Sequence, residues 1–447
     1  MDDTGGPIFG GGRAGATGPG TGGRPFLWLV VLVGAIVLAS LPCRAYAGGA
    51  LTLKLCIDKA IENYPLSGYA RANAGVFGSE YKQSRALLLP SISVSSSYGR
   101  AYGYDPAVTN GGIASLQAIA QVDIFNPSRW LSTKQMKMSF ESARYEQKAM
   151  ESGLAYTVKN VFVDAVTYGE EIRILQENID SLGDYLSLTK RLLSSGLVTE
   201  NDVLRTQIEL DNTKAKLKSF DIKLLSQLDT LSSLTGIPMT PHTVLTLEAV
   251  PFTVPASSGI DEQMFSNNPA LQAVRYEERS QKYNVSAQRA KHLPTLSIEA
   301  DAGWLAEPQP MAYGQYRGYS YLAMLNLPVF EWGSVSYGVD AARMRLEKVQ
   351  YNEQLLVNQL KLSYHNALKN LASAVERINL YQKDIELSKQ NFEYSEARYT
   401  GGGRISSYEV LLDRQLMTTT QMDMATAQAD FYKARYKIQF LRGEIYE

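Results

Sequence analysis

Cysteine is almost absent from this chain: Cys43 and Cys56 are the two in 447 residues. Disulfide frameworks, thiolate metal clusters and paired-cysteine redox sites are thereby excluded. Histidine is as scarce, with His242, His292 and His365 far apart and no HExxH pair or nucleophile elbow. Gly401-Gly402-Gly403-Arg404 has neither the preceding strand nor the Gly-Lys-Ser/Thr ending of a phosphate loop, so it reads as a helical turn. No catalytic group, cofactor or metal is expected. Charge of one sign is missing too. Lys and Arg number 44 against 45 Asp and Glu, a net charge of -1, which gives nucleic acid nothing to grip. Long apolar runs are confined to one place. Phe26–Leu41 is free of charge, yet shorter than the ~20 residues a bilayer helix needs.

That run follows Arg24 and precedes Ala45-Tyr46-Ala47, an A-x-A cleavage pattern. Residues 1–47 therefore read as a signal peptide with a Gly-rich N-terminal extension; a membrane anchor is the alternative. Pro42 before Cys43 spoils a lipid-attachment motif. Cleavage after Ala47 leaves Cys56 alone in an exported chain.

Helical periodicity is abundant. Leu154, Val158, Val161, Ala165, Tyr168, Ile172, Leu175, Ile179, Leu182 and Leu186 alternate steps of four and three, a heptad stripe. The helix it marks runs over 128–195, on the order of 100 Å at ~1.5 Å per residue. No single globular core buries such a helix, so it must lie in a bundle that is itself very long. A second stripe runs Val357, Leu360, Tyr364, Ala367, Leu371, Ala374, Ile378, Tyr381, Ile385, Ser388, Phe392, in a helix over 334–400. Each long helix is followed by another, over 199–236 and 407–441.

Before each long helix the period changes to two. Ile92, Val94, Tyr98, Tyr102 and Tyr104 alternate with Ser91, Ser93, Ser95, Ser97, Gly99 and Gly103, and Arg100 falls on the apolar side. Leu116, Ala118, Ala120, Val122 and Ile124 alternate with Ser115, Gln117, Gln121 and Asp123. Over 295–330 the pattern returns, with Leu296, Ile298, Ala300, Ala302 and Trp304 against Ser297, Glu299, Asp301 and Gly303, then Tyr319, Tyr321, Ala323, Leu325 and Leu327. Strands of ~10 residues are bilayer length, and one face is apolar while the other is small and polar. A hairpin lying over a soluble core is the alternative. Tyrosine, 27 against 13 phenylalanines, suits aromatic girdles or amphipathic packing equally.

The offsets between halves hold nearly constant. Pro90 to Pro294 spans 204 positions (294 − 90), Phe125 to Phe330 spans 205, and Gly236 to Gly443 spans 207. This predicts an internal duplication, 48–236 and 260–447, joined by a Pro-rich linker at 237–259. The fold class expected is mainly α with β: long antiparallel helical hairpins plus four strands. Four strands cannot close a membrane barrel, which needs at least eight. If they span a bilayer the chain must oligomerise, and the same oligomer closes its helices into a tube, an α-barrel. The physical reading is a channel.

The Leu51-Thr52-Leu53 start, Asn63-Tyr64-Pro65 and Asn267-Asn268-Pro269, the strand entries Leu89-Pro90-Ser91-Ile92 and Leu293-Pro294-Thr295-Leu296, Ser195-Gly196-Leu197-Val198, and Leu327-Pro328-Val329-Phe330 together resemble the TolC-like outer-membrane efflux protein family. The resemblance covers 49–447. It implies a homotrimer, a 12-stranded β-barrel in outer-membrane lipid of a Gram-negative-type bacterium, and a helical tunnel closed at its periplasmic tips. It implies as partners a periplasmic adaptor (membrane fusion) protein and an inner-membrane pump, serving efflux or type I secretion. The tips fall at the turns of Gly196 and of Gly401, Gly402 and Gly403. Asp202 and Glu409 match acidic gate positions of that family; Ile405 stands at the position of the basic partner, with Arg404 one residue before it, and Leu412 at a second acidic position, with Asp413 one after it, so an Asp202–Arg404 pairing is an expectation only. The same acids read equally as first-turn helix residues favoured by the helix dipole. Asp123, Glu299 and Asp301 lie on the small polar strand face, where they would make a lumen cation-preferring; as rim or loop carboxylates they would do nothing of the kind. The rival reading of the whole chain is a periplasmic coiled-coil adaptor or scaffold protein.

Overall fold

The computed structural model describes residues 51–101, 111–241, 243–254, 262–309, 312–401 and 405–444. The signal-peptide reading, Tyr102–Tyr104, Gly402, Gly403 and Arg404 fall outside them. Residues from Ala50 onward form one compact unit. In chain order the elements are β1 (Leu51–Thr52), α1 (Leu53–Asn63), α2 (Pro65–Ala86), β2 (Ser91–Ala101), β3 (Gly111–Phe125), α3 (Pro127–Ser194), α4 (Glu200–Thr235), β4 (Leu245–Thr246), α5 (Pro269–Arg289), β5 (Thr295–Gln309), β6 (Ala312–Asn326), α6 (Ser334–Thr400) and α7 (Ser407–Arg442). Short 3-10 turns occupy Glu262–Phe265 and Ala290–His292.

The two long helices have 68 and 67 residues, roughly 100 Å each at ~1.5 Å per residue. Local chemistry sets their ends. The Asn126 side chain accepts from the Arg129 amide, and Pro127 supplies a first residue that needs no donor. At the far end Gly196 takes a left-handed φ of 73°, the Leu197 amide reaching back to the Leu192 carbonyl, a glycine stop. Tertiary packing keeps α3 helical in between. Leu154, Val158, Ala165, Leu175, Leu182 and Leu186 of its heptad stripe are buried, as are Val357, Leu360, Tyr364, Ala367, Leu371, Ala374 and Ile378 of α6. The helix α3 packs on α2, α4, α5 and α7, and α6 packs on α5 and α7.

One sheet has the order β2-β3-β5-β6, antiparallel throughout. Strand β6 ends at Asn326, so Leu327 lies beyond it, and Pro328 with its missing amide explains the stop. The Pro-rich stretch between the halves does more than link them. Leu245–Thr246 pairs in parallel with Leu51–Thr52 and ties the start of the folded unit to the junction.

The two halves use matching clasps. The Asn63 side-chain amide donates to the Thr235 carbonyl at 2.8 Å, closing α1 on the end of α4. The Asn268 amide donates to the Leu441 carbonyl at 3.0 Å, closing α5 on the end of α7. Gly443, at φ 79°, sits so close that an added Cβ would lie 2.4 Å from the Asn267 carbonyl oxygen.

One core gathers Cys56, Ile57, Ala60, Val158, Phe162 and Leu231; a second gathers Phe265, Leu271, Tyr364, Leu371 and Phe431; a third, at the helical turns, gathers Leu182, Tyr185, Leu210, Phe392 and Val410. Cys56 is fully enclosed, and burial pushes its thiol up to about 11. Thiolate, the reactive form, is then nearly absent at neutral pH. Mass spectrometry should find Cys56 unlabelled by a small maleimide in the native protein and fully labelled in denaturant.

Candidate functional site

Two places carry the chemistry: the sheet, and the end of the bundle where the long helices turn. Cross-strand partners share a face, so register sorts the sheet's side chains. One face carries Val94, Ala118, Ala302 and Tyr319 in a row, and Ile92, Ala120, Ala300 and Tyr321 in the next. The other carries Ser95, Gln117, Gly303 and Gly318, then Ser93, Ile119, Asp301 and Ser320. Among the described residues the apolar face is largely uncovered: Ile92, Val94, Tyr319, Tyr321 and Leu325 are all more than 70% exposed. An apolar sheet face of this size, left open in water, costs free energy and marks a contact with lipid or protein. Among the described residues, strands β2 and β6 each have one unpaired edge. Separately, no described helix is long and apolar enough to cross a membrane.

Asp123, Glu299 and Asp301 fall on the polar face, Glu299 beside Gln121 and Asp301 beside Ile119. They are not equivalent. Asp123 sits at the strand–helix corner, where Arg129 holds it at 2.6 Å and the Asn126 amide donates at 2.9 Å, so its charge is matched locally. Asp301 accepts from the Ser320 hydroxyl.

At the other end, both acidic tip residues serve as caps. The Thr199 amide and hydroxyl donate to Asp202 Oδ2 at 2.9 and 2.7 Å. The Ser406 amide donates to Glu409 Oε2 at 3.1 Å, and the Glu409 amide to the Ser406 hydroxyl at 3.3 Å. Each is a reciprocal capping box that saturates the first turn of α4 or α7. Asp413 accepts from Ser395, joining α7 to α6. Burial raises the Asp202 pKa, but the Thr199 bonds, the Ser407 hydroxyl and Arg205 outweigh it and hold the carboxyl below its usual range. With the folded value depressed, the stability from Asp202 is complete above the unfolded value of ~3.9 and lost as pH falls through the folded one. Asp202→Ala should loosen the first turn of α4 by ~1 kcal/mol at neutral pH. Hydrogen exchange of that turn reads it as a several-fold rise, vanishing between variant and wild type in strong acid.

Sequence reasoning missed the residue most deeply set in this end. Arg414 is 2% exposed on α7. Its guanidinium donates to Ser181 of α3, lies 3.3 Å from Glu396 of α6, and faces the rings of Phe392 and Tyr185 at 4.6 and 5.4 Å. Among the described residues its Nε has no hydrogen-bond partner. Burial lowers the Arg414 pKa and Glu396 opposes that; burial and the neighbouring Tyr399 raise the Tyr185 phenol. The signal was present: Arg414 stands on the apolar stripe of α7, three and four positions after Leu411 and Val410. Gly401, at φ −81°, closes α6 without a left-handed turn.

The sequence profile of the outer membrane efflux protein family matches residues 56–237 and again 262–444. The chain belongs to that family. Among its relatives is the probable efflux pump outer membrane protein TtgC of Pseudomonas putida, 21% identical over 82% of this chain and 78% of the relative. The alkaline protease secretion protein AprF of Pseudomonas aeruginosa is 21% identical over 83% of this chain and 80% of its own length. The crystal structure of the outer membrane protein VceC of Vibrio cholerae superimposes with a TM-score of 0.77 at 15% identity, covering 88% of this chain and 97% of VceC. The fold is therefore that of the TolC-like outer membrane efflux proteins, mainly helical with some sheet, and this efflux family protein resides in the outer membrane. Family membership sets aside the adaptor alternative.

Proposed function

We propose that this efflux family protein is the outer-membrane conduit of a tripartite efflux or type I secretion system, through which an inner-membrane pump drives substrates passively outward. The observation that carries it is the union of an open-edged, bilayer-length sheet with helical hairpins on the order of 100 Å long. In lipid an unpaired strand edge costs several kcal/mol per backbone group, so β2 and β6 need partners. Three copies supply them: β6 of one pairs with β2 of the next, and twelve strands close. The helices point the same way. Tyr337, Met344, Tyr351, Leu362, Leu380 and Leu387 on α6 are exposed, most of them seven apart, and Leu204, Ile208, Ile222 and Leu225 are exposed on α4. These edges of the helical layer fit one another in a neighbouring copy and close the α-barrel. Relatives named for an efflux pump and for protease secretion support both kinds of export system, and a periplasmic adaptor is the partner this reading calls for. The internal duplication is supported by the profile matching twice and by the Asn63 and Asn268 clasps.

On this reading Gly196 and Gly401–Gly403 lie at the periplasmic tips, Asp202, Arg404, Glu409 and Asp413 line the closed end, and Glu299 and Asp301 face the lumen with Asp123 neutralised at its base. The test is single-channel recording with the purified protein in planar bilayers, combined with a photo-crosslinker at the exposed Leu197 in living cells. Ohmic, cation-preferring conductance and capture of a periplasmic adaptor are expected. A protein that inserts without conducting, or Leu197 linking only to surface proteins, overturns the reading.

A further inference from the structure

A cavity of about 400 Å³ opens between α1, β4, α3 and α7, well away from the sheet and from the helical turns. Its size is that of a small-molecule site. Its innermost wall is Lys159 of α3, only 6% exposed. A largely enclosed lysine normally has a carboxylate or carbonyl for its ammonium, because removing the charge from water is costly. Among the described residues Lys159 has neither; its ammonium lies 4.9 Å from the centre of the Tyr436 ring. Arg435, one residue from Tyr436 and lining the same cavity, has no carboxylate partner among the described residues either. Lys159 and Arg435 thus line one space, together with Lys54, Asp58 and Glu248, and burial, with Arg435 adding to it, lowers the Lys159 pKa. The apolar part of the wall comes from Leu53, Ile57, Leu247, Val250 and Tyr432.

We propose that this cavity binds a small organic monocarboxylate with an aromatic or aliphatic body, its carboxylate between Lys159 and Arg435 and its flat face on Tyr436. The rest of the lining sets the charge of the ligand. Asp58 and Glu248 are exposed residues of the lining and repel multiply charged anions, while Lys159 and the half-exposed Arg435 repel a cationic ligand. The apolar walls disfavour a bare inorganic ion. The position argues against a second copy of the chain as occupant, since the cavity lies on the α3–α7 seam and the exposed apolar stripes are on α4 and α6. A bound ligand ties α1 and the β4 segment to the helical bundle. This site stands apart from the conduit reading and holds whether or not the chain conducts.

The test is calorimetric titration of the full-length protein in lipid nanodiscs, with 2-naphthoate and its uncharged analogue 2-naphthamide as probes and empty nanodiscs as the blank. Naphthoate should bind saturably at one site per chain, and naphthamide about tenfold or more weaker, as expected for loss of a buried charge-assisted contact. Lys159→Gln should weaken naphthoate by about tenfold or more, and Lys159→Arg should retain most of the affinity. Arg435→Gln, on a half-exposed residue, gives an independent reading should Lys159→Gln fold poorly, and should weaken binding several-fold. Equal binding of acid and amide, unchanged affinity in both charge-removing variants, or no saturable heat overturns the proposal.

Discussion

Ala118→Arg should abolish assembly in the outer membrane, and Gln117→Arg should leave it nearly intact. The two positions are neighbours at the centre of β3, which runs Gly111–Phe125. Register places them on opposite faces. Ala118 lies between Val94 and Ala302, and Gln117 between Ser95 and Gly303. An arginine on the lipid side at mid-bilayer costs ~2–4 kcal/mol. In a trimer that becomes ~6–12 kcal/mol per assembly, comparable to the whole stability of a typical folded domain. The same side chain on the polar face finds water. The measurement is the yield of heat-resistant trimer in purified outer membranes. Equal tolerance of both substitutions would mean that the sheet does not lie in lipid, and equal loss would point to a folding defect of β3 rather than to membrane burial.

That pair also shows why so much of the fold was legible. Alternation in strands and heptads in helices are local patterns, and each names a face before any partner is known. Capping boxes are equally local: Thr199 with Asp202 and Ser406 with Glu409 stand at the required spacing, and both acids do cap. Features made by distant segments were not legible. The parallel pairing of Leu51–Thr52 with Leu245–Thr246 engages two residues of each strand and leaves no periodic trace. Asp123 was readable as a polar-face acid, but not as the partner of Arg129 across the turn into α3. A strand-face assignment fixes the side a carboxylate is on and leaves open whether a neighbour already matches its charge. The cavity at Lys159 was invisible for the same reason, as its walls come from four separate stretches.

Arg414→Ala should be the most damaging single change at the helical end, and Arg414→Met close to harmless. Arg414 is wholly enclosed by α3, α6 and α7, so truncation removes both the packing of its stem and two ring contacts. Large-to-small changes of this kind in a core cost ~2–5 kcal/mol. The charge itself is worth less than its burial implies. Its Nε is unpartnered among the described residues, and its ion pair with Glu396 is 3.3 Å long on a carboxylate that is 41% exposed. Removing the guanidinium from water costs several kcal/mol, and one long pair with a half-hydrated acid and a hydrogen bond to Ser181 repay only part of it. Methionine fills most of the space without that cost, and Glu396, already facing solvent, is simply rehydrated. Limited proteolysis separates the two, because the turns after Ser194 and Thr400 become cleavable when the enclosed cluster of Leu182, Tyr185, Phe392 and Val410 loosens. Cleavage should be fast in Arg414→Ala and at the wild-type rate in Arg414→Met. Equal sensitivity of the two variants would assign the stability of this end to the charge, through Ser181 and Glu396, rather than to the volume it fills.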